Sequence, residues 1–459
     1  MSFANPGAEF FASGGFAFPQ PSHRPANPTV MAVRNSTRHY CDRPRSGQEC
    51  VILQTCPRAP GGLPVGMRFA VLFLGLVLGT ESAPRVGAPP AKLGKALKLD
   101  AFYTKHVDVE GFAVVGSKRV ADAAMLEAAY LIRRMLGGRK DILRALAKNK
   151  VRFVVIAQNE YTTDIPEYKT LQPRLYWNRR ARGLGPSKEI PAVSCGEENL
   201  LCYPGDPYGK ENILIHEFAH AIHSSGLSLT DPTFDERLEA IYEAAVKDGL
   251  WKGKYAGRNH HEYWAEGVQS WFGTNRENDH DHNHVNTRAE LKAYDPRLAK
   301  LVKEVFGEPD WRYQRPAERR PASAHLKGYQ PAKAPTFAWS KLSDAWYKRF
   351  QAGLESMAPD HAVTLELLSP ESENWRSPRT PDKTRIYVSN ASKRSIRLEW
   401  IDFEGKPRGY GAELRPTDHT QQQTFAGHVW RLVDDASGEV LHYFLAPKRP
   451  GKLIFKNPK

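Results

Sequence analysis

The segment Asn212-Ile213-Leu214-Ile215-His216-Glu217-Phe218-Ala219-His220-Ala221-Ile222-His223 constrains the fold of this chain more than any other. It contains no Pro or Gly and is largely apolar, the pattern of a helix that runs through a domain core. Residues four apart share a helical face, so His216 and His220 present two imidazoles side by side, with the Glu217 carboxylate next to the first. Two neutral imidazoles suit Zn²⁺, and Glu217 then stands where it can take a proton from a metal-bound water. The plainer alternative is a core helix whose histidines are only hydrogen-bonded. A turn cluster, Tyr203-Pro204-Gly205-Asp206-Pro207-Tyr208-Gly209, ends before the helix begins.

Catalytic zinc usually takes three protein ligands and a water, so a third donor is expected downstream. The stretch from Asn259 to Gly273 reads as a second helix, opened by a capping residue and stopped by Gly. It carries Glu262 and Glu266 on one face. One carboxylate can bind the metal, and the other can accept the free ring N–H of a ligating histidine and so fix its tautomer. Asn259 and Glu262 also satisfy a capping-box pattern.

His-Glu-x-x-His followed by a helix with Glu-x-x-x-Glu resembles the gluzincin metallopeptidases. The run Glu262-Tyr263-Trp264-Ala265-Glu266 is most similar to the catalytic domain of anthrax lethal factor and its relatives. The resemblance extends upstream over roughly residues 98–225 and includes Phe102 to Phe112. It implies that Glu262 is the third ligand of a single zinc ion and that Tyr255 supports the oxyanion, a role for which a phenol is chemically suited. Glu217 would be the general base, Glu266 would stand behind the ligands, and the bond broken would be a peptide bond. Two other readings use the same residues: a non-catalytic zinc-binding recognition protein, and a zinc amidase acting on cell-wall peptides.

Residues 67–83 have the basic start, apolar run and small-residue end of a secretory signal peptide, and the run is too short for a membrane span. Residues 1–66, rich in Pro, Arg, Gly and Ser, read as upstream of the true start at Met67 or as a disordered extension. Three of the five cysteines lie in that stretch. Cys195 and Cys202 remain, and a disulfide between them is expected in an oxidising compartment, secreted or periplasmic; two unpaired thiols are the alternative. The formal charge is +14 with 25% charged residues. No basic helix, zinc-finger spacing or aromatic RNA-binding motif accompanies it, so nucleic acid is a poor inference. A well-solvated surface, or association with anionic cell-surface polymers, accounts for the charge. The cluster Asp279-His280-Asp281-His282-Asn283-His284 fits a metal-scavenging loop or a solvated turn and is left outside the site.

The expected fold class is α+β: a zincin-like catalytic domain over 84–312, then a small all-β sandwich over 379–459. Between them, 313–336 is Pro/Ala/basic and reads as a linker, and 337–378 contains a helix from Lys341 to Met357 that belongs clearly to neither neighbour. From Thr384 the pattern changes to short alternating runs separated by turn residues, which predicts an antiparallel sandwich. Asn390, Ser392-Lys393-Arg394, Trp400, Phe403 to Pro407, Tyr410 and Gly427-His428-Val429-Trp430 resemble the von Hippel–Lindau β domain. That resemblance implies a pocket for hydroxylated proline at Trp400, Tyr410, Thr424, His428 and Trp430, with Thr424 standing where the family has Ser. The helical partner-binding region of that family does not follow, so the module is read as one that targets a substrate or surface.

Overall fold

The computed structural model describes residues 84–370 and 375–457; the expected leader and the stretch before it lie outside them. Lys105–Val109 (β1) and Phe112–Gly116 (β2) form a hairpin turned at Glu110 and Gly111, both at positive φ as a tight two-residue turn requires. Arg152–Ile156 (β3) pairs with β2 in parallel. Gly183–Leu184 (β4) and Ala192–Gly196 (β5) complete a five-stranded sheet of order β1-β2-β3-β5-β4. Strands β3 and β5 are buried throughout, which is why they read as mostly apolar rather than alternating, apart from Arg152 and Ser194. Strand β4 is the edge, antiparallel to β5.

Six helices place the site and its surroundings: Asp122–Leu136 (α1), Arg174–Arg180 (α2), Ile213–Ala221 (α3), Phe234–Lys247 (α4), His260–Phe272 (α5) and Lys341–Gln351 (α6). Helix α3 lies against the sheet. Phe218 packs on Phe112 and Phe153, with ring centroids 5.5 and 6.4 Å away. Helix α5 crosses it, and Trp264 donates its indole N–H to the Ala219 carbonyl at 2.9 Å. Trp264, Trp271 and Phe272 are fully buried there, each contributing on the order of 2–3 kcal/mol of apolar burial. Among the described residues no helix is long and apolar enough to cross a membrane.

Residues 313–336, expected as a linker, run along this first part of the molecule. Arg319 places its guanidinium on the buried Glu127 of α1 at 2.8 and 2.5 Å, and His325 Nε2 reaches the same carboxylate at 2.8 Å. The Tyr130 ring stacks on His325. The sequence lacks periodicity here because the segment is held by these polar anchors and by scattered apolar contacts of Tyr313, Leu326, Tyr329 and Ala334 rather than by a regular apolar face.

The expected helix in 337–378 forms as α6 and bridges. On one side its Trp346, Tyr347 and Phe350 surround Tyr176 of α2, and Asp344 accepts from Arg179 at 2.9 Å. On the other, Phe350 stacks on His419 at 3.9 Å, and His419 donates from Nε2 to the Phe350 carbonyl at 2.9 Å.

The C-terminal strands are Val363–Thr364 (β6), Lys383–Asn390 (β7), Ile396–Ile401 (β8), Pro407–Leu414 (β9), His419–Phe425 (β10), Val429–Asp434 (β11), Val440–Leu445 (β12) and Gly451–Phe455 (β13). They form two four-stranded sheets, β10-β7-β13-β6 and β12-β11-β8-β9. Ile386, Val388, Leu398, Trp430, Leu432, Phe444 and Phe455 fill the space between the sheets. The sandwich is not purely antiparallel, because β13 runs parallel to both β6 and β7. The chain is thus mixed α+β, ending in a β module.

Candidate metal centre

The helix that carries His216 and His220 is set by its first turn. Asn212 caps α3, its side chain accepting from Ile215 N at 3.0 Å. Buried Asn199 accepts from Ile213 N at 2.8 Å and donates to the Glu211 carbonyl and Asp206 at 2.9 Å each. That amide ties the preceding turn cluster to the helix start. Helix α5 is capped by Asn259, which accepts from Glu262 N at 2.9 Å. The Glu262 carboxylate does not turn back to complete a capping box; it points across to α3.

His216 Nε2 and His220 Nε2 lie 3.2 Å apart. Glu262 Oε2 stands 3.2 Å from the first and 3.4 Å from the second. This oxygen is buried and makes no geometrically good hydrogen bond. Three lone-pair atoms that meet in this way repel one another unless a positive charge sits between them. With zinc–ligand bonds of about 2.0–2.1 Å, the edges of a tetrahedron are about 3.3–3.4 Å long, so these spacings fit one ion. Among the described residues, His216, His220 and Glu262 are the group of three whose ligand atoms all converge closely enough to hold one metal ion.

The electrostatics agree. Burial alone would lower the His216 pKa, but the Glu262 carboxylate, with Glu217 and Glu266, pushes it up to about 10. Burial likewise opposes ionisation of Glu262, yet His220 and His216 hold its carboxyl well below the usual range. The cluster stabilises a cation at this point.

Glu217 lies beside the cluster, and burial raises its pKa against the pull of His216 and His220. Strand β4 passes over it. A Cβ on Gly183 would meet Ile213 Cγ2 at 2.5 Å and Glu217 Cγ at 3.1 Å; one on Gly185 would sit 3.1 Å from His220 Cβ and 3.4 Å from Glu217 Oε2. Glycine at these two positions lets the edge strand approach the carboxylate. Tyr255 is buried with its ring 6.2 Å from that of His216. Its backbone N–H donates to the Asp281 carbonyl, and the Arg258 guanidinium lies over its ring at 4.5 Å. Burial, reinforced by Glu262, raises its pKa far above the ordinary phenol value, so it is a donor at neutral pH.

The residues behind the cluster differ from the expectation. Glu266 Oε1 is 3.6 Å from His216 Nδ1, while Gln269 Oε1 accepts that N–H at 2.8 Å. Gln269 sits one helical repeat beyond Glu262 and so returns to the same face. Glu266 accepts instead from Asn275 at 2.9 Å and pairs with His282 Nε2 at 3.3 Å. His282, from the His/Asp cluster left outside the expected site, is therefore a buried supporting residue, and Asp279 holds its other nitrogen at 2.8 Å. Arg180 was also missed: it raises no motif, yet its charge lowers the pKa values of both Glu217 and Tyr255.

The expected disulfide is absent: Cys195 and Cys202 are both free thiols. Cys195, next to last in β5, turns its sulfur toward the Gly196 carbonyl and the Asn199 side chain. The helical turn Glu197–Leu200 intervenes, and Cys202, at φ 55°, directs its sulfur toward the Tyr313 hydroxyl. The loop is pinned by Asn199 and by the fully buried pair Arg182–Glu198, at 2.6 Å.

In the β module the five pocket candidates come together. Trp430 donates its indole N–H to Thr424 Oγ1 at 3.0 Å, and His428 Nδ1 lies 3.3 Å from the same hydroxyl. Trp400 stacks on His428, and Tyr410, half exposed, stands against both Trp400 and Trp430.

Comparison with known proteins gives two findings. Residues 376–444 match the VHL beta domain family. Among solved structures the chain is similar to a Pro-Pro endopeptidase from Paenibacillus alvei, at 19% identity and a TM-score of 0.27, over 43% of this chain and 98% of that one. No curated protein matches the sequence.

Proposed function

We propose that the protein is a secreted zinc-dependent peptidase of the gluzincin type, with its catalytic part over 84–312 and a C-terminal β module that targets it to a substrate or surface. The observation that carries this reading is the convergence of His216, His220 and Glu262 on one point with Glu217 beside them. A zinc ion held there would lower the pKa of a water molecule and polarise a carbonyl group. Glu217 accepts the proton of the attacking water on its carboxylate and returns it to the leaving amine nitrogen. Tyr255, kept protonated by its surroundings, donates to the oxygen on which negative charge develops. The outer edge of β4 offers an extended substrate backbone a strand to pair with, and Gly183 and Gly185 keep that backbone close to Glu217.

In the β module, Trp400, Tyr410 and Trp430 supply aromatic walls, and Thr424 and His428 supply polar groups for a ring hydroxyl. This supports hydroxyproline-containing peptide as the ligand class.

The test is metal analysis of the full chain together with an unbiased peptide library, with and without chelator. Zinc binding, chelator-sensitive hydrolysis and a Glu217→Gln variant that keeps zinc but loses hydrolysis are expected. Absence of zinc affinity, or hydrolysis by Glu217→Gln at the wild-type rate, defeats the reading. Cleavage of muropeptides alone would favour the amidase alternative. Hydroxyprolyl peptides should bind the full chain more tightly than prolyl ones; equal binding removes the pocket assignment.

A further inference from the structure

Past Ala221 the helix that carries His216 and His220 continues as π-helical turns, Ile222–Leu227. Such turns often accompany functional sites. Here the winding brings a third imidazole, His223, to the corner where α3, α4 and α5 meet. His223 Nε2 lies 2.7 Å from Asp235 Oδ1 of α4. The ring N–H donates to that carboxylate, which fixes the tautomer and leaves a lone pair on Nδ1. This lone pair faces His261 Nδ1, in the first turn of α5, at 3.3 Å, close to the 3.2 Å between the two ring nitrogens of the primary centre. His260 turns its Nε2, buried and without a hydrogen bond, to within 3.3 Å of the same Asp235 oxygen. His223 is buried whereas His261 is exposed, so the pair opens to solvent on one side.

We propose that His223 Nδ1 and His261 Nδ1 form a second site, for a divalent transition-metal ion, with Asp235 as the carboxylate that orients the inner histidine. A pair of neutral imidazoles suits Zn²⁺, Ni²⁺ or Cu²⁺, and water fills the positions on the open side. A carboxylate behind a ligating imidazole is the arrangement that fixes ring orientation and raises ligand basicity. The ion would clasp the turns after α3 to the first turn of α5, next to Glu262. It would therefore fasten together the two helices that supply the primary ligands. A simple hydrogen bond between His261 and His223 is the competing account of the same distance.

Metal-free full-length protein is dialysed against Zn²⁺, and bound ions are counted for wild type, His261→Gln and Asp235→Asn. His261 is exposed, so its replacement spares the fold, and equal melting temperatures of the metal-free proteins check this. Two ions are expected on wild type and one on His261→Gln, with Asp235→Asn weakening the second ion about 10–100-fold. Cu²⁺ loaded after the primary centre is filled with Zn²⁺ should give an EPR spectrum with imidazole nitrogen coupling in wild type only. One ion on both wild type and His261→Gln overturns the second site and leaves the primary centre standing. One ion on wild type and none on His261→Gln supports the second site and removes the primary one.

Discussion

Gln269 accepts the Nδ1–H of His216 at 2.8 Å, and its own amide N–H groups are held by Glu211 at 3.2 Å and the Asn212 carbonyl at 3.4 Å. The His216 ring is thus aimed by the same residues that start its helix. Gln269→Leu should weaken zinc binding about 10–100-fold, because the ring loses the partner that fixes its tautomer. Competition with a chromophoric chelator measures this, and an unchanged Kd would show that Gln269 does not orient the ligand.

Glu217 and Tyr255 should separate kinetically. Glu217→Gln should lower kcat about 10²–10⁴-fold at unchanged zinc content, and Tyr255→Phe about 10²–10³-fold with little change in KM. In the proposed mechanism Glu217 acts only when ionised, and burial raises its pKa, so kcat/KM should fall as pH drops, with an acid limb above the usual carboxylate range. A limb at ordinary carboxylate pH that survives in Glu217→Gln would assign it to another group.

The contact between β4 and α3 leaves no room for a side chain at Gly183, where a Cβ would meet Ile213 Cγ2 at 2.5 Å and the Ser194 carbonyl at 2.8 Å. Gly183→Ala should cost roughly 1–3 kcal/mol in urea unfolding through overpacking. It should also reduce hydrolysis more than binding of zinc, since β4 and not the ligand cluster is displaced. Wild-type stability in this variant would mean that the strand moves freely away.

Removing Arg319 leaves the buried Glu127 carboxylate with His325 as its remaining side-chain partner. Arg319→Ala should destabilise by about 3–5 kcal/mol. It should also expose residues 313–336 to limited proteolysis, and a resistant variant would show that the segment is held by its other contacts.

Asp206 gives a pH test. Burial, with Glu198 and Glu211 nearby, raises its pKa to about 7 against the hydrogen bonds from Tyr208 N and Asn199. The folded state therefore holds this proton more tightly than the unfolded chain. Its contribution is complete below about pH 4, declines as pH rises, and is gone above about pH 7. The difference in stability between wild type and Asp206→Asn should shift against wild type across that window. A difference independent of pH would contradict the raised value.

The convergent cluster was legible because metal chemistry restricts residue type and helical spacing restricts position. His216 and His220 announce themselves through i,i+4 spacing, whereas spacing alone left Glu262 and Glu266 equal and only the resemblance chose Glu262. Gln269 did not announce itself, because an amide can aim an imidazole as well as a carboxylate can, and no spacing rule prefers it over Glu266. His282 was hidden for another reason. It reaches Glu266 through a loop whose alternating His and Asp also describe a solvated turn. The Cys195–Cys202 pairing failed because sequence separation says nothing about where two sulfurs point; a helical turn and a left-handed residue turned them apart. In the β module, β10 does not stand out in the sequence because polar residues such as Gln421, Gln422 and Gln423 lie on a largely half-buried strand, where apolar alternation is weak.

The place of β13 has a consequence for how the molecule is made. Gly451–Phe455 lies between β6 and β7, supplying both with their only parallel partner among the described strands. Every earlier strand of the module can emerge from the ribosome and still leave β7 with a bare inner edge. The sheet closes only when the last of its strands has been synthesised. A chain that stops before Gly451 would expose that edge, making it prone to pair with another copy of itself and a natural target for chaperones.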